Sequence, residues 1–198
     1  MIFNDVICRT AETGSIAPDK NEIAARLGVP RGYQNNAIDR CLEELQRSAV
    51  YKYAYARLPL RLQDGICDLD FVKVRSRDLH ANLSKGAGCR EIVVMAVTLG
   101  AGVDRLLARC AAQGQSKHFI MDALSSAAAE ALCDYAQSCI CASECCHPRY
   151  SPGYGDLSIE LQAPLLERLN AGRLLGITLN GAFLMSPVKS VTAIIGLE

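Results

Sequence analysis

The stretch at residues 92–137, IVVMAVTLGAGVDRLLARCAAQGQSKHFIMDALSSAAAEALCDYAQ, predicts a buried strand followed by two helices. Residues 92–99 are almost uniformly apolar and rich in β-branched side chains, which is typical of a central strand covered on both faces. Two glycines then interrupt the strand, and helical spacing resumes at 103–111. In residues 117–137 apolar side chains recur every three or four positions, which predicts the clearest helix of the chain.

The segments on either side of this stretch add helices and strands in a mixed order. The sequence predicts helices at 21–27, 37–45, 77–83 and 157–169, and strands at 50–60, 68–75, 176–179 and 190–196. Tyrosines alternate along the first of these strands, which indicates one aromatic face. Ser76 is placed to cap the helix that follows it, and Asp156 is placed to cap the helix at 157–169. Because strict βαβ alternation is missing, we predict an α+β fold.

Length and charge narrow the class of protein. A chain of 198 residues predicts a single domain over 1–198, in which 1–50 is a helical N-terminal extension whose role the sequence leaves open. The 21 basic residues balance the 21 acidic ones, and no Lys/Arg cluster occurs. We therefore expect neither a nucleic-acid partner nor an anionic membrane partner, since both require a clustered basic face.

The apolar segments and the N-terminus predict a cytoplasmic protein. The longest uncharged apolar stretch, 92–103, is shorter than the roughly 20 residues that span a bilayer. The N-terminal sequence MIFNDVICRT lacks the basic and then apolar regions of a secretory signal. The cytoplasm disfavours structural disulfides, so we expect the ten cysteines to be reduced thiols.

A cysteine-rich segment is the first candidate site. It contains Cys139, Cys141, Cys145, Cys146 and His147. Thiolate and imidazole groups are the ligands that zinc prefers, but the spacing is not that of paired CxxC motifs. The segment therefore leaves open a thiol-rich metal or redox module, or a set of incidental thiols near a helix end.

The loop RYSPGYGD at 149–156 is the second candidate site. Its two glycines allow a backbone to approach a ligand closely, and Pro152 stiffens the entry. Arg149 offers a guanidinium suited to a carboxylate, and Tyr154 offers a flat face with a hydroxyl. The residues alone fit either a small-molecule cradle or an ordinary surface turn.

Two acidic residues of the 117–137 helix lie on one face beside an alanine-rich seam. Glu130 and Asp134 are four positions apart and repel each other when exposed. Either both carboxylates reach water, or a cation lies near them.

Several segments together resemble one known family. They are VTLGAGVDRLL (97–107), MDALSSAAAEALCDYA (121–136), RYSPGYGD (149–156), LSIELQ (157–162) and GITLNGAFLMSPVKSVTAIIGL (176–197). The chain is similar to the activation domain of cobalamin-dependent methionine synthase, and most similar to the free-standing short proteins of that family. The resemblance covers about residues 68–198, and the RxxPGYG loop is its most specific element.

The resemblance implies a fold and an activity. The fold is a C-shaped α+β domain with a twisted antiparallel sheet flanked by helices. The activity is S-adenosylmethionine binding and reductive methylation of cob(II)alamin, as an accessory to methionine synthase. The implied partners are a corrinoid-binding methionine synthase that lacks its own activation domain, which supplies the cobalamin, and a flavodoxin-like or other electron donor. Methyl transfer to reduced cobalt needs no general base, so no catalytic side chain is expected.

The resemblance also implies a binding site. The implied S-adenosylmethionine-binding residues are Glu130, Arg149, Pro152, Gly153, Tyr154 and Gly155. Arg149 would bind the ligand carboxylate, and Glu130, on the opposite side, would bind its amino group. The chain has Asn180-Gly181-Ala182 where the family has a Thr-Glu-Ser type sequence. That lost carboxylate leaves open a protein that has kept the fold and lost the ligand.

Overall fold

The computed structural model describes residues 5–33, 35–86, 88–142 and 144–198. The N-terminal sequence that lacks a secretory-signal pattern begins with residues 1–4, and these lie outside the described residues. The strands are β1 (Ile7–Thr10), β2 (Lys52–Pro59), β3 (Arg61–Gln63), β4 (Ile66–Asp68), β5 (Lys73–Arg75), β6 (Glu91–Thr98), β7 (Thr178–Leu179), β8 (Met185–Ser186) and β9 (Ser190–Leu197). The helices are α1 (Lys20–Leu27), α2 (Asn36–Ser48), α3 (Arg77–Leu83), α4 (Ala101–Gln113), α5 (Gln115–Ile140), α6 (Gln162–Arg168) and α7 (Ala171–Leu175).

A four-stranded antiparallel sheet organises the chain, in the order β1-β2-β6-β9. In β6 every residue after Glu91 is buried. Its register places Tyr53 of β2 opposite Val97 and Ile194 of β9 opposite Val94. The predicted central strand, covered on both faces, is therefore confirmed. The smaller sheets, β3-β4-β5 and β7-β8, lie outside this one.

Helices cover one face of the four-stranded sheet. α5 packs against β6 and β9, and α1, α2 and α4 pack against α5. The alternating tyrosines form one aromatic face, as the sequence predicts, and it meets this layer. Tyr51, just before β2, and Tyr53 within it are buried. The ring of Tyr53 meets Tyr135 of α5 edge to face at 6.3 Å, a favoured aromatic geometry.

The opposite face carries a second apolar core. Leu58 of β2, Leu79 of α3 and Leu165 of α6 all lie in it, fully or almost fully buried. α7 packs on β2 and β6 from the same side. The observed architecture is thus an antiparallel sheet between two helical layers, as the α+β prediction requires.

Three features differ from the sequence predictions. The first fifty residues are not helical throughout, because β1 pairs with β2 at the edge of the sheet. The strand predicted at 68–75 is confirmed only at its ends, since residue 68 belongs to β4 and 73–75 form β5, and a turn separates them. In that turn the Leu69 amide donates to Val72, and Asp70 adopts a left-handed conformation with φ 75°. Asp tolerates this conformation better than most residues.

The capping role of Asp156 is the third difference. The sequence places it at the start of the helix over 157–169, but Ser158 caps a 3₁₀ turn there, at Ile159–Leu161, which leads into α6. The Asp156 carboxylate instead accepts hydrogen bonds from the Ser76 hydroxyl and the amide of Arg77, the latter at 2.7 Å. The predicted Ser76 cap of α3 is confirmed, and Asp156 reinforces it from a distant part of the chain.

No helix in the described part of the chain is both long enough and apolar enough to cross a membrane.

Candidate functional site

A cavity of about 450 Å³ lies between the 149–156 loop, α5, α6 and β9. This volume is in the range of small-molecule sites, roughly 300–1,000 Å³. Its lining residues are Glu130, Arg149, Tyr150, Ser151, Pro152, Tyr154, Gln162, Met185, Ser190, Val191 and Thr192. Four of the six residues implied by the resemblance are therefore brought together here: Glu130, Arg149, Pro152 and Tyr154. Gly153 and Gly155 belong to the same loop but do not line the cavity.

Backbone hydrogen bonds attach the loop to the outer edge of β9. The Tyr150 amide donates to Ile194, and the Ile194 amide donates back to Tyr150, both at 2.8 Å. Just upstream, the His147 amide donates to Gly196 at 2.9 Å. The segment thus pairs with the outer edge of β9 before it turns over the cavity. These hydrogen bonds fix the position of the loop relative to the sheet.

Gly155 combines a left-handed backbone conformation with close packing beneath the loop. It adopts φ +53°, and a Cβ at this position would lie 2.5 Å from both the Asp78 carboxylate and the Tyr150 hydroxyl. Real Cβ atoms essentially never approach so closely. The left-handed φ therefore accounts for this glycine, and the side-chain ends of Asp78 and Tyr150 would have to move to admit a Cβ. The ligand approach that the sequence suggests is not needed to explain it.

Arg149 is held by carboxylates of α5. Its Nη1 donates to Asp134 Oδ1 at 2.6 Å and to Gln137 Oε1 at 3.3 Å, and its Nη2 donates to Glu130 Oε2 at 2.8 Å. Burial lowers the pKa of Arg149, but the hydrogen bonds to Asp134 and Glu130 more than offset this effect. The pKa of Arg149 therefore lies above its usual value. The cation beside the two acids is thus a residue of the chain itself, and Arg149 and Glu130 form an ion pair.

Three exposed apolar side chains belong to segments that line the cavity or adjoin lining residues in the chain. Tyr154 is 66% exposed, Leu184 is 57% exposed and Val188 is 59% exposed. Tyr154 lines the cavity, and the other two lie within two residues of the lining residues Met185 and Ser190. Large exposed apolar groups beside a cavity are typical of an interaction surface. We call Tyr154, Leu184 and Val188 the apolar rim.

The Asn180-Gly181-Ala182 segment forms the β7–β8 hairpin turn. The Asn180 side chain accepts hydrogen bonds from the amides of Ala182 and Leu184, at 2.9 and 3.0 Å. None of the three residues lines the cavity. The departure from the family pattern therefore falls on the hairpin turn, and Met185 of the same hairpin lines the cavity.

Seven lining residues were not predicted from the sequence, and they are Tyr150, Ser151, Gln162, Met185, Ser190, Val191 and Thr192. Of these, Gln162 has the most unusual environment. It begins α6 and is only 7% exposed. Its signal is positional, because it lies three and four residues before the buried Leu165 and Leu166. A polar side chain on the apolar stripe of a helix indicates a special role.

The cysteine-rich segment does not converge on one point. Cys141 and Cys146 form a disulfide, so the expectation of ten reduced thiols is wrong for this pair. The turn after α5 brings their Cα atoms to 6.1 Å, a distance that a disulfide spans. Cys139 lies beside Tyr53 and Tyr135. Within the described residues, no group of three or more Cys, His, Asp or Glu side chains is arranged to hold a metal ion.

The buried side chain of His147 contacts Asn82 and Glu198. It is 5% exposed, with Nδ1 at 2.7 Å from the Asn82 carbonyl and Nε2 at 2.9 Å from Glu198 Oε1. The hydrogen bond from His147 lowers the pKa of Glu198. Exposed Cys145 also contacts Glu198. These residues therefore act in packing at the end of β9.

The fold and the cavity define a class of protein: an antiparallel α+β domain with a ligand-sized cavity under a glycine-containing loop. The structure is similar to the solved MetH reactivation domain bound to AdoHcy, S-adenosylhomocysteine, with a TM-score of 0.69. The match covers 96% of this chain and 78% of that chain at 15% sequence identity. The chain thus has the fold of that reactivation domain, as the resemblance implies. No family model and no curated protein matches the sequence.

Proposed function

We propose that this protein binds S-adenosylmethionine and serves as an accessory in the reductive reactivation of a corrinoid-dependent methionine synthase. The observation that carries the proposal is the cavity at the Arg149 loop, in the fold of a reactivation domain that was solved with S-adenosylhomocysteine.

The charges around the cavity suit this ligand. S-adenosylmethionine carries an ammonium and a sulfonium, both positive, and one carboxylate. Arg149 is surrounded by two carboxylates, Glu130 and Asp134, so this cluster has a net negative charge. Glu130 lines the cavity and offers an acceptor to the ligand ammonium. A guanidinium has five N–H donors, and the three hydrogen bonds within the protein leave two for the ligand carboxylate.

The partner is proposed from the apolar rim and from the chemistry. Methyl transfer from the sulfonium to reduced cobalt needs the methyl group to be aligned and water to be excluded. Tyr154 lines the cavity, and Leu184 and Val188 adjoin lining residues in the chain, so all three offer exposed apolar surface that a partner can cover. We propose that a corrinoid-binding methionine synthase without its own activation domain docks there in the cytoplasm and supplies the cobalamin. A flavodoxin-like protein or another donor would supply the electron.

Calorimetric titration of the purified protein with S-adenosylmethionine and S-adenosylhomocysteine tests the binding step. We expect saturable binding by the wild type and a loss of at least about 1.5 kcal/mol of binding free energy in Arg149→Ala, the scale of a charged hydrogen bond. Arg57→Ala is the matched control, because Arg57 also pairs with two carboxylates, Glu91 and Glu144, and does not line the cavity.

The two variants separate a local effect from a general one. Equal affinity losses in Arg149→Ala and Arg57→Ala would place the ligand elsewhere. Absence of saturable binding by the wild type at millimolar ligand would overturn the proposed function.

A further inference from the structure

Gln162 has a buried oxygen with no hydrogen-bond partner. Only two buried side-chain atoms in the described part of the chain lack a partner, and they are Gln162 Oε1 and Asn82 Oδ1. Asn82 does not line the cavity, whereas Gln162 does. Buried polar groups in folded proteins are almost always paired, so an unpaired one needs an explanation.

The packing of α6 does not explain why residue 162 carries a side-chain amide. Gln162 lies on the same stripe as Leu165 and Leu166, both buried in the second core. An apolar side chain of similar length would fill this position without leaving a buried acceptor unpaired. The amide is therefore best explained by a molecule that enters the cavity and hydrogen-bonds to it.

We propose that Gln162 recognises the adenine ring of the bound ligand, with its oxygen accepting from the 6-amino group and its amide nitrogen donating to N7. This inference rests on the proposed function. A primary amide presents one acceptor and one donor side by side, which matches that edge of adenine. Because the oxygen is buried in the ligand-free protein, this pairing requires the side chain to rotate until both ends of the amide face the ring.

The other polar groups of the cavity support this assignment. Glu130 and Arg149 match the ammonium and carboxylate of the ligand. The other polar lining residues are the hydroxyl residues Tyr150, Ser151, Ser190 and Thr192 and the amide Gln162, and only the amide presents an acceptor and a donor side by side. Pro152 and Met185 line the same cavity and offer apolar surface to a flat ring. The adenine thus gains both apolar contact and a paired edge, and Gln162 is a specificity-determining residue.

The test compares two ligands on two proteins by calorimetry. The ligands are S-adenosylhomocysteine and S-inosylhomocysteine, in which an oxo group replaces the 6-amino group. We expect the wild type to bind the adenine compound about tenfold more tightly, the scale of one hydrogen bond. In Gln162→Met we expect about tenfold weaker binding of the adenine compound and no discrimination between the two. Gln113→Met, at an exposed residue at the end of α4, is the control.

A thermal melt of the ligand-free proteins separates recognition from packing. Gln162→Met should melt at the same or a higher temperature, since no hydrogen bond within the protein is lost. A lower melting temperature with unchanged affinity for both ligands would assign Gln162 to packing and overturn the inference.

The remaining outcomes are also decisive. An equal loss of affinity for both ligands in the variant would place Gln162 against the ribose or another group and overturn the adenine assignment. Equal affinity of the wild type for the two ligands would overturn it as well, while leaving the proposed function intact. Binding of neither ligand would overturn both. The wild-type comparison needs no variant, so it remains valid even if Gln162→Met folds poorly.

Discussion

The segments 139–147 and 149–156 are neighbours in the chain, and both carry reactive or polar side chains. Only the second contributes several side chains to one cavity. The loop at 149–156 meets side chains of α5, α6 and β9 at one cavity. The cysteine-rich segment is divided between a disulfide, a tyrosine pair and the C-terminal strand. Chemical composition alone therefore does not identify a site. Groups from distant elements must also converge on a common space.

Among the changes that test this difference between the two regions, replacing Gly155 by alanine should have the largest effect on stability. The new Cβ would overlap the Asp78 carboxylate and the Tyr150 hydroxyl, at a φ that alanine disfavours. We expect the free energy of unfolding to fall by about 2–3 kcal/mol, measured by urea denaturation. Gly181→Ala is the control, because nothing lies within 4 Å of its added Cβ. Equal stability of the two variants would contradict the packing of the loop against α3.

Removing the disulfide tests the other region. Cys141→Ser/Cys146→Ser opens a loop with a sequence separation of 5, for which chain entropy predicts a loss of about 2 kcal/mol of stability. We expect the affinity for S-adenosylhomocysteine to change less than about twofold, since neither cysteine lines the cavity. Cys139→Ser, at an unpaired exposed thiol, is the control. A large loss of affinity would show that the two regions act as one.

Acid titration should reveal a smaller effect through Asp156. The hydrogen bond from Ser76 and the backbone hydrogen bonds from Arg77 and Asp78 hold the pKa of Asp156 below its usual value of about 3.9. A lowered folded-state pKa contributes stability above the unfolded-state pKa, and that contribution is lost as the pH falls through the folded-state pKa. The wild type should therefore lose stability below about pH 4 more steeply than Asp156→Asn.

Denaturation at pH 5 and pH 3 measures this difference. Asp64→Asn provides a control in which the carboxylate belongs to the exposed β3–β4 turn. Parallel acid profiles for the wild type and Asp156→Asn would show that Asp156 does not stabilise the α3 cap through its charge.

Local patterns predicted much of the secondary structure. The apolar run of β6, the alternating tyrosines of β2 and the Ser76 cap of α3 were all confirmed. The failures share a cause. The turn between β4 and β5 depends on one left-handed residue, Asp70, inside an otherwise alternating pattern. Asp156 has the residue type of a helix cap, and the sequence does not show which helix it will cap.

The candidate site was predicted only in part for the same reason. The sequence marked the loop through its glycines and Arg149, and the resemblance added Glu130. Neither the sequence nor the resemblance indicated that Arg149 and Glu130 would contact each other, because one lies in the loop and the other in α5. Gln162 was missed because its environment is formed by the packing of α6 against the loop and β9.

The sequence by itself determined the features that depend on residues a few positions apart: helical and strand periodicity, the cap of α3 and the glycines of the loop. These follow from backbone sterics and local hydrogen bonding. The tertiary structure decided the rest: the Cys141–Cys146 pairing, the attachment of Asp156 to α3, and the cavity that joins Glu130, Arg149 and Gln162. These depend on which surfaces pack together, and packing is set by the burial of the whole apolar core.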